Sequence, residues 1–169
     1  MIKPAHIRRL LTRANPHLAD HPEKLHVFLD TGAVAALGST SLSFEYRYTL
    51  NLLVQDYPHH VDRIVLPLLA YLRTQQPELF ENHDKAQKLL RFEVEIINES
   101  VLDLSIQVDL TERVLVSKKK TGNELTALHV GEPEHPDFPA KDVTIEVYDA
   151  KTNTSLGSFT VPAWNPYGG

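Results

Sequence analysis

Residues 102–110, Leu-Asp-Leu-Ser-Ile-Gln-Val-Asp-Leu, alternate apolar and polar side chains without a break. Successive side chains of a strand point to opposite faces, so this run puts Leu102, Leu104, Ile106, Val108 and Leu110 on one surface. Asp103, Ser105, Gln107 and Asp109 fall on the other. A helix repeats every 3.6 residues and would mix the two sets. The run therefore demands a sheet with one dry face and one wet face. A second stretch obeys the same rule. Phe44, Tyr46, Tyr48, Leu50, Leu52 and Val54 share one face, and Glu45, Arg47, Thr49 and Asn51 share the other. One-sided strands of this kind are typical of antiparallel sheets, and their apolar faces need a cover.

The cover is legible at helical spacing. Ile64, Val65, Leu68, Leu69 and Leu72, preceded by Val61, form an apolar stripe within residues 59–76, the main helix. Pro67 lies inside it and predicts a kink, or a helix that starts near Leu66. Pro4 suits the first turn of a short N-terminal helix carrying Ile7, Leu10, Leu11 and Ala14, which Asn15-Pro16 should stop. A second helical turn fits residues 17–20. Leu25, Val27 and Leu29 read as a strand, continued through residues 33–37 with a bulge or bend at the flanking glycines. Residues 78–88 read as loop or short helix. Phe92, Val94 and Ile96 alternate with Arg91, Glu93 and Glu95, and Asn98-Glu99-Ser100 turns this strand back onto 102–110. The resulting hairpin should be packed on one face and wet on the other. Residues 114–116 extend its second strand, 121–123 make a turn, and 125–130 add a short strand.

These elements predict an α+β fold. Its sheet is mostly antiparallel, with a mixed sheet as the alternative. One main helix packs on one face, beside a short N-terminal helix and a C-terminal β extension. The core spans 1–130, a Pro-rich linker 131–140, and a hairpin with an aromatic tail 141–169. An isolated two-stranded hairpin is marginal in water, so this one must pack on the main body or on another subunit. The tail holding Trp164 and Tyr167 reads either as unstructured or as a peptide that docks in a partner groove.

Little in the chain carries chemistry. There is no cysteine among the 169 residues, which removes disulfides, thiol catalysis and Cys-based zinc sites. His17 and His21 have helical metal-ligand spacing, but Pro16 and Pro22 enclose them, so no metal is expected. No nucleophile elbow, phosphate loop or dinucleotide fingerprint is present, so neither an enzyme nor a cofactor is expected. The net charge of −5 gives no reason to grip nucleic acid, and Lys118-Lys119-Lys120 reads as a solvated loop tip. The longest apolar stretch, 64–72, is under half of the roughly 20 residues a membrane helix requires. A soluble intracellular product is expected. Glu93, Glu95, Asp103 and Asp109 lie on wet strand faces: a solvated surface, or the acidic lining of a channel in an assembly.

Several blocks carry a resemblance: Thr40-Ser41-Leu42-Ser43-Phe44-Glu45, Arg47-Tyr48-Thr49-Leu50-Asn51, residues 67–73 (Pro-Leu-Leu-Ala-Tyr-Leu-Arg), Gln76-Pro77, and Leu110-Thr111-Glu112-Arg113. In this order and spacing they resemble the tail completion protein R family of contractile-tailed temperate phages, over about residues 3–117. Everything past Gly131 departs from the pattern. The resemblance implies a structural assembly protein similar to tail terminators: a subunit of a ring, six-fold like the tail, at the head-proximal end. It implies contacts with other copies, with tube and sheath proteins, and with the neck or head connector, but neither membrane nor sequence-specific nucleic acid. It places the product in the host cytoplasm during assembly and then in the virion tail. The candidate interface residues are Glu45, Arg47, Thr49, Asn51, Glu112, Arg113, Trp164 and Tyr167. The candidate acidic lumen is Glu93, Glu95, Asp103 and Asp109. A neck or head-completion connector is the alternative within the same class, and a small-molecule-binding or enzymatic domain is a remote one.

Overall fold

The computed structural model describes residues 1–36, 41–119, 124–132, 141–161 and 163. The helices are α1 (Lys3–Ala14), α2 (Pro16–Asp20), α3 (Asp62–Gln75), α4 (Glu78–Glu81) and α5 (His83–Ala86). The strands are β1 (Leu25–Ala36), β2 (Phe44–Tyr57), β3 (Arg91–Asn98), β4 (Val101–Lys118), β5 (Leu125–Val130), β6 (Val143–Tyr148) and β7 (Ser155–Val161).

The two alternating runs pair with each other at the centre of a five-stranded sheet of order β1-β2-β4-β3, with β5 on β4 as well. Every pairing in it is antiparallel. Leu50 stands opposite Val108, Leu52 opposite Ile106 and Val54 opposite Leu104, so the dry faces of the runs coincide. All six of these residues are buried. β1 runs on past Gly32, and its register shifts between Leu29 and Gly32, which is the bulge the glycine suggested. β3 and β5 share one side of β4. β3 pairs with its first half and β5 with its last residues.

Two helices, α1 and α3, contribute to the core. Ile7 and Leu11 of α1 join Ile64, Leu68, Tyr71 and Leu72 of α3 in a single cluster with the strand residues. α3 starts at Asp62 and runs continuously through Pro67, which corrects the expected start near Leu66. A proline inside a helix costs about 3 kcal/mol. Burying Ile64, Leu68, Tyr71 and Leu72 stabilises by about 1.5–3 kcal/mol each and outweighs that cost.

The β6–β7 hairpin packs on the main body, against α1 and α3, where Phe159 and Val161 are buried. Gly157 comes within 3.6 Å of the Ala14 carbonyl oxygen, measured from where a Cβ would stand, and its φ of 131° requires glycine. The expected linker falls largely on residues 133–140 and the aromatic tail on 164–169, outside the described residues. So do the turn at 121–123 and Thr40.

One expectation fails. The apolar face of the β3–β4 hairpin is packed only along β4. Phe92, Val94 and Ile96 are 65%, 39% and 76% exposed, although they stand opposite the core residues Ile106 and Leu104 and the half-buried Leu102. Alternation sets which face a side chain takes, whereas the reach of the covering helices sets whether that face is buried. Here the cover does not extend over β3.

Candidate interaction surfaces

Charged residues near the N-terminus and at the end of β4 would be surface groups in most proteins of this size. Instead they form a buried network. The Glu112 carboxylate accepts from the backbone N–H of Ile2 at 2.8 and 3.0 Å, from that of Lys3 at 3.1 Å, and from the Tyr48 hydroxyl at 2.5 Å. Ile2 and Lys3 open α1, whose first N–H groups have no intrahelical partner and which has no side-chain cap of its own. Glu112 therefore caps a helix 110 residues away in sequence, with the helix dipole favouring its charge. Burial by itself pushes this carboxyl up. The hydrogen bonds from Tyr48, Ile2 and Lys3 and the nearby N-terminal amino group outweigh burial and hold it below the ordinary carboxylate range. Burial, and then the Glu112 hydrogen bond, push the Tyr48 phenol well above its ordinary value. His129 Nδ1 lies 3.4 Å from Glu112 Oε2, an electrostatic neighbour without a formed hydrogen bond.

A second strand of this network ties in the end of α3. Lys3 Nζ donates to Gln76 Oε1 and, at 2.8 Å, to Glu132. Gln76 Nε2 donates to Thr111 Oγ1 at 2.8 Å and to Glu78, while Thr111 N donates back to Gln76 Oε1 at 3.2 Å. The Arg113 guanidinium donates to the Gly131 carbonyl at 2.8 Å. Tyr48, Gln76 and the run Thr111-Glu112-Arg113 come from three separate sequence blocks, and the fold joins them.

The wet sheet face is the accessible one. Arg91 holds Asp109 with two bonds of 2.9 and 3.1 Å, and Thr49 donates to Asp109 at 2.7 Å. The Arg91 bond, against a smaller opposing effect of burial, holds the Asp109 carboxyl below its usual range. Arg47 is exposed and bonds Glu45 at 2.6 Å. Gln107 donates to Asn51 at 3.0 Å. Asp103 accepts from the Asp56 backbone at 2.8 Å, at a register shift where Asp56 takes a φ of 48°.

Of the residues expected at an interface, Arg47 is exposed, and Glu45, Thr49 and Arg113 are half-buried. Asn51 and Glu112, at 4% exposure each, leave almost no side-chain surface for a partner. Trp164 and Tyr167 lie outside the described residues. Of the four expected lumen carboxylates, Glu93, Glu95 and Asp103 come together, with Glu95 directly opposite Asp103. Asp109 shares their face but is neutralised by Arg91.

Sequence reasoning missed the inward role of Glu112, although a signal existed. It continues the even-numbered series Leu104, Ile106, Val108, Leu110 and so falls on the core face. The burial of Asn51 had no such signal, because the period places it on the wet face, where it accepts from Gln107. His17 was read as a poor metal ligand. Its ring lies 5.1 Å from that of His21 and 5.9 Å from that of His59. Among the described residues no group of three or more side chains could hold a metal ion, and no helix is long and apolar enough to cross a membrane.

The model of the family described as P2 phage tail completion protein R (GpR) matches residues 1–133. The chain belongs to this family. The match takes in the five-stranded sheet and all five helices, and it stops short of the β6–β7 hairpin. Tail completion protein R of Escherichia phage P2 is 39% identical over 137 residues, covering 81% of this chain and 87% of that protein. No solved structure matches.

Proposed function

We propose that this protein completes a contractile phage tail as a terminator. In this reading, copies of the chain form a six-subunit ring on the head-proximal end of the tube, stop further addition of tube and sheath subunits, and present the surface to which the head connector joins. The role is structural. The observation that carries the reading is the family match, which spans the whole main sheet and its helices. The protein is made in the host cytoplasm and ends in the virion tail.

A terminator must leave a passage for DNA. Glu93, Glu95 and Asp103 gather on one sheet face, and an acidic wall would repel phosphate and let the duplex slide. We assign the part of this face around Glu93, Glu95 and Asp103 to the lumen. Arg47, Thr49, Glu45 and Arg113 are the accessible candidates for contacts with tube, sheath or neighbouring copies.

The test is electron microscopy of tails assembled with and without the protein. Loss should give headless tails of uncontrolled length, and a labelled protein should sit at the head-proximal end. Label confined to the neck of normal-length tails would favour a connector subunit instead. Label at the baseplate end would overturn both readings. Density that puts Glu93, Glu95 and Asp103 on the outer rim would remove the lumen assignment alone.

A further inference from the structure

Besides the short β5, the sheet ends in two longer open edges on opposite sides. Among the described residues β1 has β2 on one side and no strand on the other, and β3 has β4 on one side and no strand on the other. An open edge presents unpaired backbone donors and acceptors, and proteins that must stay monomeric blunt such edges with proline, lysine or a cover. Neither β1 nor β3 contains proline or lysine; β1 has its bulge between Leu29 and Gly32, and β3 carries its charges, Arg91, Glu93 and Glu95, on the wet face alone. Both instead carry bare apolar side chains on the core face of the sheet: Leu29 and Val34 on β1, 37% and 61% exposed, and Phe92, Val94 and Ile96 on β3.

We propose that these edges are one interface, with β1 of one copy pairing antiparallel with β3 of the next so that the sheet runs on from copy to copy. The occupant of each edge is a second copy of this chain, and the inference rests on the ring reading above. Strand direction supports it. Every neighbouring pair in the order β1-β2-β4-β3 is antiparallel, so β1 and β3 run in opposite senses. A copy turned about a ring axis brings its β1 beside β3 in the antiparallel sense, with the two dry faces flush. Val34 and Leu29 then meet the Phe92–Val94–Ile96 row, and the helices of both copies lie on the same side.

Charge favours this head-to-tail pair over a two-fold one. If β3 paired with β3 of a second copy, each register centred on Glu93, Val94 or Glu95 would set glutamate directly against glutamate on the wet face, and like charges directly opposite are destabilising. β1 offers Phe28, Ala33 and Ala35 on that face and has Asp30 as its one carboxylate, at the bulge. A heterologous contact of this kind closes into a ring when the rotation permits.

The natural chain has no cysteine, so single thiols can be placed cleanly. Ala35→Cys and Glu93→Cys variants, each made in the full chain, are mixed at high concentration and treated with a short bis-maleimide. The expected result is a crosslinked dimer in the mixture, none in either variant alone, and a ladder of species from the double variant. Adding Ile96→Lys should lower the yield about tenfold or more, since it replaces an apolar contact across the interface with a charge. Ile96 is exposed within one chain, so this variant should melt like its parent. Crosslinking of Glu93→Cys with itself would overturn the proposal in favour of a two-fold pair. Oligomers without the mixed crosslink would overturn it in favour of another surface. A chain that stays monomeric and uncrosslinked at every concentration would overturn it outright. The ring reading fails separately, when labelled wild-type protein is absent from the head-proximal tail end.

Discussion

Tyr48 donates its hydroxyl to Glu112 at 2.5 Å, although the two residues are not opposite one another in the sheet. Glu112 pairs with Tyr46, and Tyr48 with Leu110, so the bond is diagonal across β2 and β4. It lies on the core face, and its acceptor also caps α1. The central strands and the N-terminal helix are thereby held by one carboxylate. Tyr48→Phe removes one donor and should destabilise the fold by about 1–2 kcal/mol. Glu112→Ala leaves the N–H groups of Ile2 and Lys3 and the Tyr48 hydroxyl without their acceptor, and should cost about 3 kcal/mol or more. Urea unfolding of the two variants checks both values. The Glu112→Ala loss should also appear as faster amide exchange in the first turn of α1.

The same carboxylate gives stability a pH dependence. Its pKa is lower in the folded protein than in the unfolded chain. A group shifted in that direction contributes its stabilisation above the unfolded value, near 4.3, and loses it as pH falls through the folded value. Asp109 is shifted in the same sense but is exposed, so solvent screens its share. The melting temperature of the wild type should therefore fall below about pH 4.5. Glu112→Gln, already unable to ionise, should show a shallower acid slope from a lower starting stability. An unchanged slope would remove Glu112 as its source.

The histidine cluster acts at a higher pH. Burial, and then the charge of His21, lower the His17 pKa, while burial, Arg63 and His17 lower that of His59. Asp20 and Glu23 oppose the shift at His17, and Lys24 adds to it. For a histidine whose folded pKa is depressed, stability is complete above the unfolded value near 6.5 and declines as pH falls below it. Imidazole titration by NMR should place His17 and His59 below the ordinary histidine value. His21→Ala should raise the His17 value and leave that of His59 nearly unchanged.

How far the sequence revealed the molecule follows from what each pattern encodes. The period-two runs assign Leu50, Leu52, Leu104, Ile106 and Val108 to the core face, and the structure agrees because that face lies under α1 and α3. The same pattern in Phe92, Val94 and Ile96 gives the correct face and the wrong burial. Periodicity is a property of one strand, whereas cover depends on elements distant in sequence. Of the two expectations at Pro67, the late start near Leu66 is the one corrected: the helix begins at Asp62, and Ile64 on the preceding turn is buried. The surface likewise divides between local and tertiary causes. Arg47 is exposed as expected, whereas Asn51, two periods further along the same face, is buried.

Gly157 fixes how the C-terminal hairpin sits on the helices. Its φ of 131° is rarely adopted by any other residue, and β7 there approaches the carbonyl of Ala14. Alanine would strain the backbone by about 1–3 kcal/mol whatever the space. The β6–β7 hairpin contributes Phe159 and Val161 to packing against α1 and α3, while the main sheet has its own core. Gly157→Ala should therefore loosen the hairpin first. Limited proteolysis should cut within residues 141–161 sooner than in the wild type, with the urea midpoint of the main body only slightly lowered.

Glu95 and Asp103 stand directly opposite each other on β3 and β4, like charge against like charge. Such a pair weakens a sheet by about 0.2–1 kcal/mol, so Glu95→Gln should stabilise the isolated protein by that amount. If the face they share lines a passage for DNA, the gain in stability should come with a loss in assembly. A Glu93→Gln/Glu95→Gln/Asp103→Asn variant keeps side-chain size and removes the repulsion of phosphate. It should terminate tails at normal length, since the backbone of β3, its apolar row of Phe92, Val94 and Ile96, and the helices are unchanged, and yet slow DNA release into the host. Urea titration measures the first effect, tail length by electron microscopy the second, and potassium efflux or DNA ejection kinetics the third. Wild-type ejection by the triple variant would assign the acidic pair to the outer surface, while tails of uncontrolled length would place it at the contact with the tube.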